Sequence, residues 1–142
     1  MPATIKLNLI TPERIVFQDM VSQVVAMSTE GELAILPGHE PLVTPLAIDV
    51  VRFTRANGEE DHAAVMGGVL EVRENDVTVL SDVAELGDEI EEARAKAAKE
   101  RSEAEKTTKT DKLDVYASEM AISRAITRLK AVELRNRKRR SL

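Results

Sequence analysis

Ile5, Leu7 and Leu9 alternate with Thr4, Lys6 and Asn8, the two-residue period of a strand with one buried face. Short apolar, β-branched runs recur at residues 21–27, 33–36, 48–53, 63–66, 69–72 and 77–80. Asn57-Gly58, between two of these runs, tolerates positive φ and predicts a tight hairpin turn, and Glu74-Asn75-Asp76 predicts a second. Several short strands with frequent turns close best into a sandwich or barrel, because an open sheet leaves its edges and an apolar face in water. Gly67-Gly68 has no helix behind it and none of the spacing of a phosphate loop, so it predicts a bulge, a turn or a close backbone contact.

The period changes after Gly87. Every proline lies at or before Pro45 and every glycine at or before Gly87, so the strong turn formers all belong to the first part. Residues 88–105 are rich in Ala, Glu, Lys and Arg, the best helix formers, and a helix is expected to open at Asp88 with acidic residues in its first turn. Ile90, Ala93, Ala97 and Ala104 are its expected inner stripe, narrow and built of small side chains. Residues 107–111, with three threonines, predict a connection. A second helix is expected from about 111–114 to Asn136, with a face of Val115, Ile122, Ala125, Leu129 and Val132 and with Ile126 beside it. An alanine stripe buries few methylenes, at about 0.8 kcal/mol each, so the helix pair is expected to be weakly held and able to rearrange. The chain thus divides at 1–87 and 88–142.

Charge sharpens this division. Residues 1–87 carry 5 Lys and Arg against 14 Asp and Glu, whereas residues 88–142 carry 15 against 11, which suggests two modules of opposite sign. The absence of cysteine excludes disulfides, thiolate nucleophiles and cysteine zinc sites. No stretch approaches the length of a membrane-spanning apolar helix, and the N-terminus does not read as a secretion signal. His39 and His62 are the only histidines, and His39 follows Pro37-Gly38 on an expected loop.

One arrangement stands out by spacing. Arg94 and Arg101 share a helical face, as do Arg124 and Arg128, so a helical hairpin would bring four guanidinium groups to one side. Either they pair with carboxylates such as Glu91, Glu119 or Glu133, or they receive a polyanion such as a nucleotide phosphate. The basic run from Arg135 onward, RNRKRRSL, is either a solvated helix end or a contact for an anionic surface.

The stretches TPERIVF (11–17), GELAILPGHEPLVTPL (31–46), MGGVLEV (66–72), VTVLSDVAE (77–85) and SRAITRLKAVE (123–133), in this order and spacing, resemble the epsilon subunit of bacterial F-type ATP synthases across nearly the whole chain. The resemblance implies an N-terminal all-β sandwich of about ten short strands followed by a C-terminal two-helix antiparallel hairpin. It implies a non-catalytic rotor subunit, peripheral at the cytoplasmic face of the cell membrane. The sandwich would bind the gamma subunit and the c-ring, with Glu32 and His39 in the contact region. The helices would fold against the sandwich or extend toward the alpha and beta subunits and inhibit ATP hydrolysis, with Arg124, Arg128 and Arg135 as contacts. Some family members bind ATP in the folded hairpin through a pattern of Ile or Leu, Asp, two residues, Arg and Ala, plus later arginines. Here the pattern falls on Ile90, Glu91, Arg94 and Ala95, followed by Arg101, Arg124 and Arg128, and Glu91 stands where the pattern has Asp. No cofactor is required, ATP would be a regulatory ligand, and its magnesium dependence is open. The alternative is a stand-alone module whose basic helices grip nucleic acid or anionic membrane.

Overall fold

The computed structural model describes residues 3–108 and 112–140, without the side chains of 107, 108, 113, 114, 139 and 140. Seven strands come first: β1 (Ile5–Ile10), β2 (Ile15–Ser28), β3 (Gly31–Ile35), β4 (Leu42–Arg55), β5 (Glu60–Arg73), β6 (Asp76–Leu80) and β7 (Ala84–Leu86). A 3-10 turn (Gly87–Glu89) leads to α1 (Glu92–Thr108) and α2 (Lys112–Arg140). The expected connection at 107–111 lies at the end of α1 and, for 109–111, outside the described residues; residues 141 and 142 of the basic tail also lie outside them.

The pairing closes on itself. β1 pairs with β2, β2 with β4, β4 with β5 and β5 with β6, all antiparallel, and β6 returns to β1 in parallel. β3 adds to β2, and β7 to β5. The apolar positions of the alternating strand, Ile5, Leu7 and Leu9, point into the resulting core with Val24, Phe53, Val65, Leu70 and Val79, all essentially inaccessible. Phe17 stacks on Phe53 with ring centroids 4.5 Å apart.

The strands are fewer and longer than the short runs suggest, because β2, β4 and β5 each continue for 14 residues where the pattern breaks. β5 shows why. Its first half pairs with β7 and its second with β6, and the strand turns the corner at Gly67 and Gly68, which adopt φ of +80° and +110°. A Cβ on Gly68 would stand 2.0 Å from the carbonyl oxygen of Leu80, so only glycine fits there. Both expected hairpins form: Gly58 at φ +90° turns β4 into β5, and Glu74 at φ +54° turns β5 into β6.

The helical hairpin lies on the outer face of β4 and β5. Val50 and Ala64, directly paired across those strands, form a second, smaller core with Ile90, Ala95, Ala131 and Val132. Four corrections to the sequence reading arise here. α1 opens at Glu92 rather than Asp88: the 3-10 turn and the extended Ile90 (φ −81°, ψ 129°) intervene, because Ile90 must drop into the core beneath the helices. That offset rotates α1, so Ala95 and Ser102 are buried while Ala93, Ala97 and Ala104 are exposed. α2 runs to Arg140, past Asn136. Finally, Ile126 is exposed, because α2 turns Ala125, Thr127, Ala131 and Val132 inward toward two surfaces, α1 and the sheet.

Candidate functional site

Between the 3-10 turn, the start of α1 and the middle of α2 lies a cleft of about 430 Å³, within the size range of small-molecule sites. Ile90, Glu91, Arg94, Ala95, Arg101 and Arg128 line it, together with Glu85, Glu89 and Ala98. The first six are residues singled out in the sequence. Arg124, one turn from Arg128 on α2, is not among the lining residues and is half-buried. Ile90 and Ala95 are buried and form the apolar floor, whereas Glu91, Arg94 and Arg101 face solvent.

Local structure explains the placement. The Ala95 N–H donates to the Glu91 carbonyl at 3.1 Å, so the helical hydrogen bonding of α1 begins at Glu91. The short side chain of Asp reaches free N–H groups of a first turn readily; Glu, one methylene longer, does so less well. Arg94 and Arg101 follow at a spacing that keeps both on the cleft side of α1.

The charges divide into tethered and untethered groups. Arg128 donates from Nε to Glu85 Oε1 at 2.9 Å, which leaves its two Nη groups for other acceptors. Arg94, Arg101 and Arg124 have no ion pair among the described residues, while Glu119 pairs with Lys106 and Glu133 with Arg137. Pairing with carboxylates thus holds for Arg128 alone, through Glu85, and among the described residues none of Glu91, Glu119 and Glu133 pairs with the four arginines. At the rim, Arg14 from the β1–β2 turn grips Glu89 with both Nη groups, at 3.1 and 2.8 Å. The Arg14 hydrogen bond holds the Glu89 carboxyl below its usual range, and Glu89 holds the Arg14 guanidinium above its own.

The remaining basic residues of α2 fasten the hairpin to the sheet. Arg135 Nη1 donates to the carbonyls of Gly87 at 2.7 Å and Ile90 at 3.1 Å. Lys130 Nζ donates to Asp49 at 2.7 Å, and Lys138 Nζ to Asp61 at 3.2 Å. Asp61 also accepts from Arg55 Nε. Burial pushes the Asp61 carboxyl up, but the hydrogen bonds from Arg55 and Lys138 together outweigh it and hold the group below its usual range. Arg135, named from sequence as a partner contact, is thus engaged within the chain here. On the sandwich, Glu32 lies on edge strand β3, 3.6 Å from Arg52, and His39 sits in the β3–β4 loop with Nδ1 2.6 Å from the Glu40 carbonyl. Leu36 and Val43 flank that loop and are exposed.

Glu85, Glu89, Arg14 and Asp49 act through partners 43 or more residues away, and Asp61 joins its hairpin neighbour Arg55 to Lys138, 77 residues on, so no local pattern in the sequence marks these pairings.

Residues 4–87 match the β-sandwich domain of the ATP synthase delta/epsilon chain, and residues 88–133 match its long α-helix domain. The chain belongs to this family. The ATP synthase epsilon chain of Desulforamulus reducens is 43% identical over 133 residues, covering 94% of this chain and 100% of that one. The epsilon chain of Alkalihalophilus pseudofirmus is 47% identical over 128 residues, covering 89% and 96%. A chain of the Euglena gracilis mitochondrial ATP synthase, solved as an OSCP/F1/c-ring assembly, superposes with a TM-score of 0.78 at 24% identity over 94% of this chain and 82% of its own. A chain from the central stalk and c-ring of the Tetrahymena thermophila mitochondrial enzyme shares the fold at a TM-score of 0.58 and 15% identity. Family membership makes this chain an accessory subunit with a coupling and regulatory role, not a catalyst. Nothing in the comparisons favours the stand-alone nucleic-acid or membrane module. Among the described residues no helix is long and apolar enough to cross a membrane.

Proposed function

We propose that this chain is a central-stalk regulator whose hairpin, in the docked conformation described above, binds ATP as a control ligand. The observation that carries the reading is the cleft in which Arg94, Arg101 and Arg128 converge over the apolar floor of Ile90 and Ala95. Two untethered guanidinium groups and a third with free Nη donors suit a triphosphate, which takes several charge-assisted hydrogen bonds at once. Arg124 would join by a change of rotamer from the adjacent turn of α2.

Regulation follows from differential affinity. A ligand that binds only the docked hairpin shifts the population toward it, and its loss frees the helices. In the extended form Arg128 and Arg135 would leave their present partners and, with Arg124, meet acidic surfaces of the alpha and beta subunits, opposing hydrolysis. The sandwich, residues 1–87, would hold the gamma subunit and the c-ring, with the loop bearing His39, Leu36 and Val43 and the edge strand bearing Glu32 as contacts. The helices, residues 88–142, would form the regulatory domain, and the subunit would sit peripherally at the cytoplasmic face of the membrane. Hydrolysis is no part of the chain's role, which by its family is that of an accessory subunit.

Calorimetric titration of the full chain with ATP, with and without magnesium, tests the reading. One saturable site that an Arg94→Ala, Arg101→Ala variant loses is expected. Absence of binding at millimolar ATP would remove the nucleotide and leave partner contacts alone in control of the helices.

A further inference from the structure

Beneath the C-terminal part of α2 lies a polar cavity of about 30 Å³, away from the cleft, into which His62 and Arg135 both face. His62, on β5, is 6% exposed and is the one titratable side chain among the buried polar residues described in the sandwich. His62 Nε2 and Arg135 Nε are both buried without a hydrogen bond. The nearest carboxylate oxygen to Nε2, Glu60 Oε1, is 3.3 Å away but not in hydrogen-bonding geometry, and the Glu60 side chain is half in solvent.

We propose that His62 and Arg135 form a pH-sensitive latch: neutral His62 permits α2 to dock, and protonated His62 puts a second cation into the cavity that Arg135 shares and releases the C-terminal part of the helix. The groups around the imidazole decide the sign. From α2 come Arg135, whose charge rests on the carbonyls of Gly87 and Ile90, and Lys138. From β4 come Arg55 and Arg52, the latter the cross-strand partner of His62. The opposing charges are Asp61, which already serves both Arg55 and Lys138, Glu60 on β5, Asp88 in the 3-10 turn, and Glu59 in the β4–β5 turn, 4.0 Å from Lys138. An added proton therefore loses its hydration and finds chiefly Glu60, which water screens, and Asp61, whose charge Arg55 and Lys138 already share.

Burial, the largest effect, pushes the imidazole down, and Glu60 and Asp61 only partly offset it. In the undocked form the ring regains water and returns toward its ordinary value of 6.5. Docking is thus at full strength above about pH 6.5 and declines as pH falls from there toward the depressed value. Each pH unit within that interval lowers the docked-to-undocked ratio by a factor approaching ten.

The latch rests on the reading that the hairpin leaves the sheet, and the test separates the two. The chain has no cysteine, so Ala56→Cys and Arg137→Cys accept a fluorophore pair across the joint in the full chain. The inter-probe distance is followed from about pH 8 to about pH 5 alongside NMR titration of the two imidazoles. A distance increase whose midpoint coincides with His62 titration and vanishes in His62→Gln is the expected result. A distance change that persists in His62→Gln, or that tracks another group in the unsubstituted chain, overturns the latch. Arg135→Ala at pH 8 is the control: if it opens the joint while pH does not, only the latch fails, and if neither opens it, the latch fails together with the undocking reading.

Discussion

Replacing Arg135 by Met should release the hairpin without unfolding the sandwich. Met keeps much of the apolar stem and removes the guanidinium that donates to two backbone carbonyls, those of Gly87 and Ile90. Hydrogen bonds from a charged donor contribute about 1.5–3 kcal/mol each. Because Arg135 is only half-buried, water recovers part of this, and a total of about 2–3 kcal/mol is expected, a 30- to 150-fold fall in the docked ratio. The apolar joint is too small to absorb such a loss: it buries Val50, Ala64, Ile90, Ala95, Ala131 and Val132, three of which are alanines. Hydrogen exchange at fixed pH reports it residue by residue. Amides of α2 around residues 125–135 should lose protection by that amount while those of β1 and β6 keep theirs. Unchanged protection in α2 would refute the role assigned to Arg135, and an equal loss in the sheet would mean that hairpin and sandwich unfold as one unit.

Glu91→Asp should tighten ATP binding by about tenfold, measured by calorimetry, since Asp brings its carboxylate closer to the N–H groups at the start of α1. Gly68→Ala should cost at least about 3 kcal/mol in urea unfolding, because its Cβ meets the Leu80 carbonyl at 2.0 Å inside a paired ladder. Gly58→Ala, strained at φ +90° but with open space around it, should cost about 1–2 kcal/mol. Asp61, held below its usual 3.8, stabilises the docked chain above that pH and ceases to do so as pH falls through the lowered value. Asp61→Asn should therefore flatten the acid limb of stability below about pH 4 and leave the limb nearer pH 6 that depends on His62.

The sequence determined the elements wherever a local period or a turn residue forces them. Alternation at Ile5, Leu7 and Leu9, the Asn57-Gly58 turn and the change of period beyond Gly87 all act over a few residues, and each is present in the structure. The arginines of the cleft were legible for the same reason, since helical spacing alone puts Arg94 and Arg101 on one side. The start and rotation of α1 were not legible. Composition favours a helix from Asp88, but burial of Ile90 beneath the hairpin and the grip of Arg14 on Glu89 delay it to Glu92.

Tertiary structure alone decided which charges meet. Glu85 reaches Arg128 across 43 residues, Asp49 reaches Lys130 across 81, and His62 comes to share a cavity with Arg135. Strand count was likewise settled by closure: β5 bends at Gly67 and Gly68 and serves β7 and β6 in turn, so two short apolar runs become one strand. Periodicity records what a residue does for its own element, whereas long-range pairing depends on how those elements pack, which no short window of sequence contains.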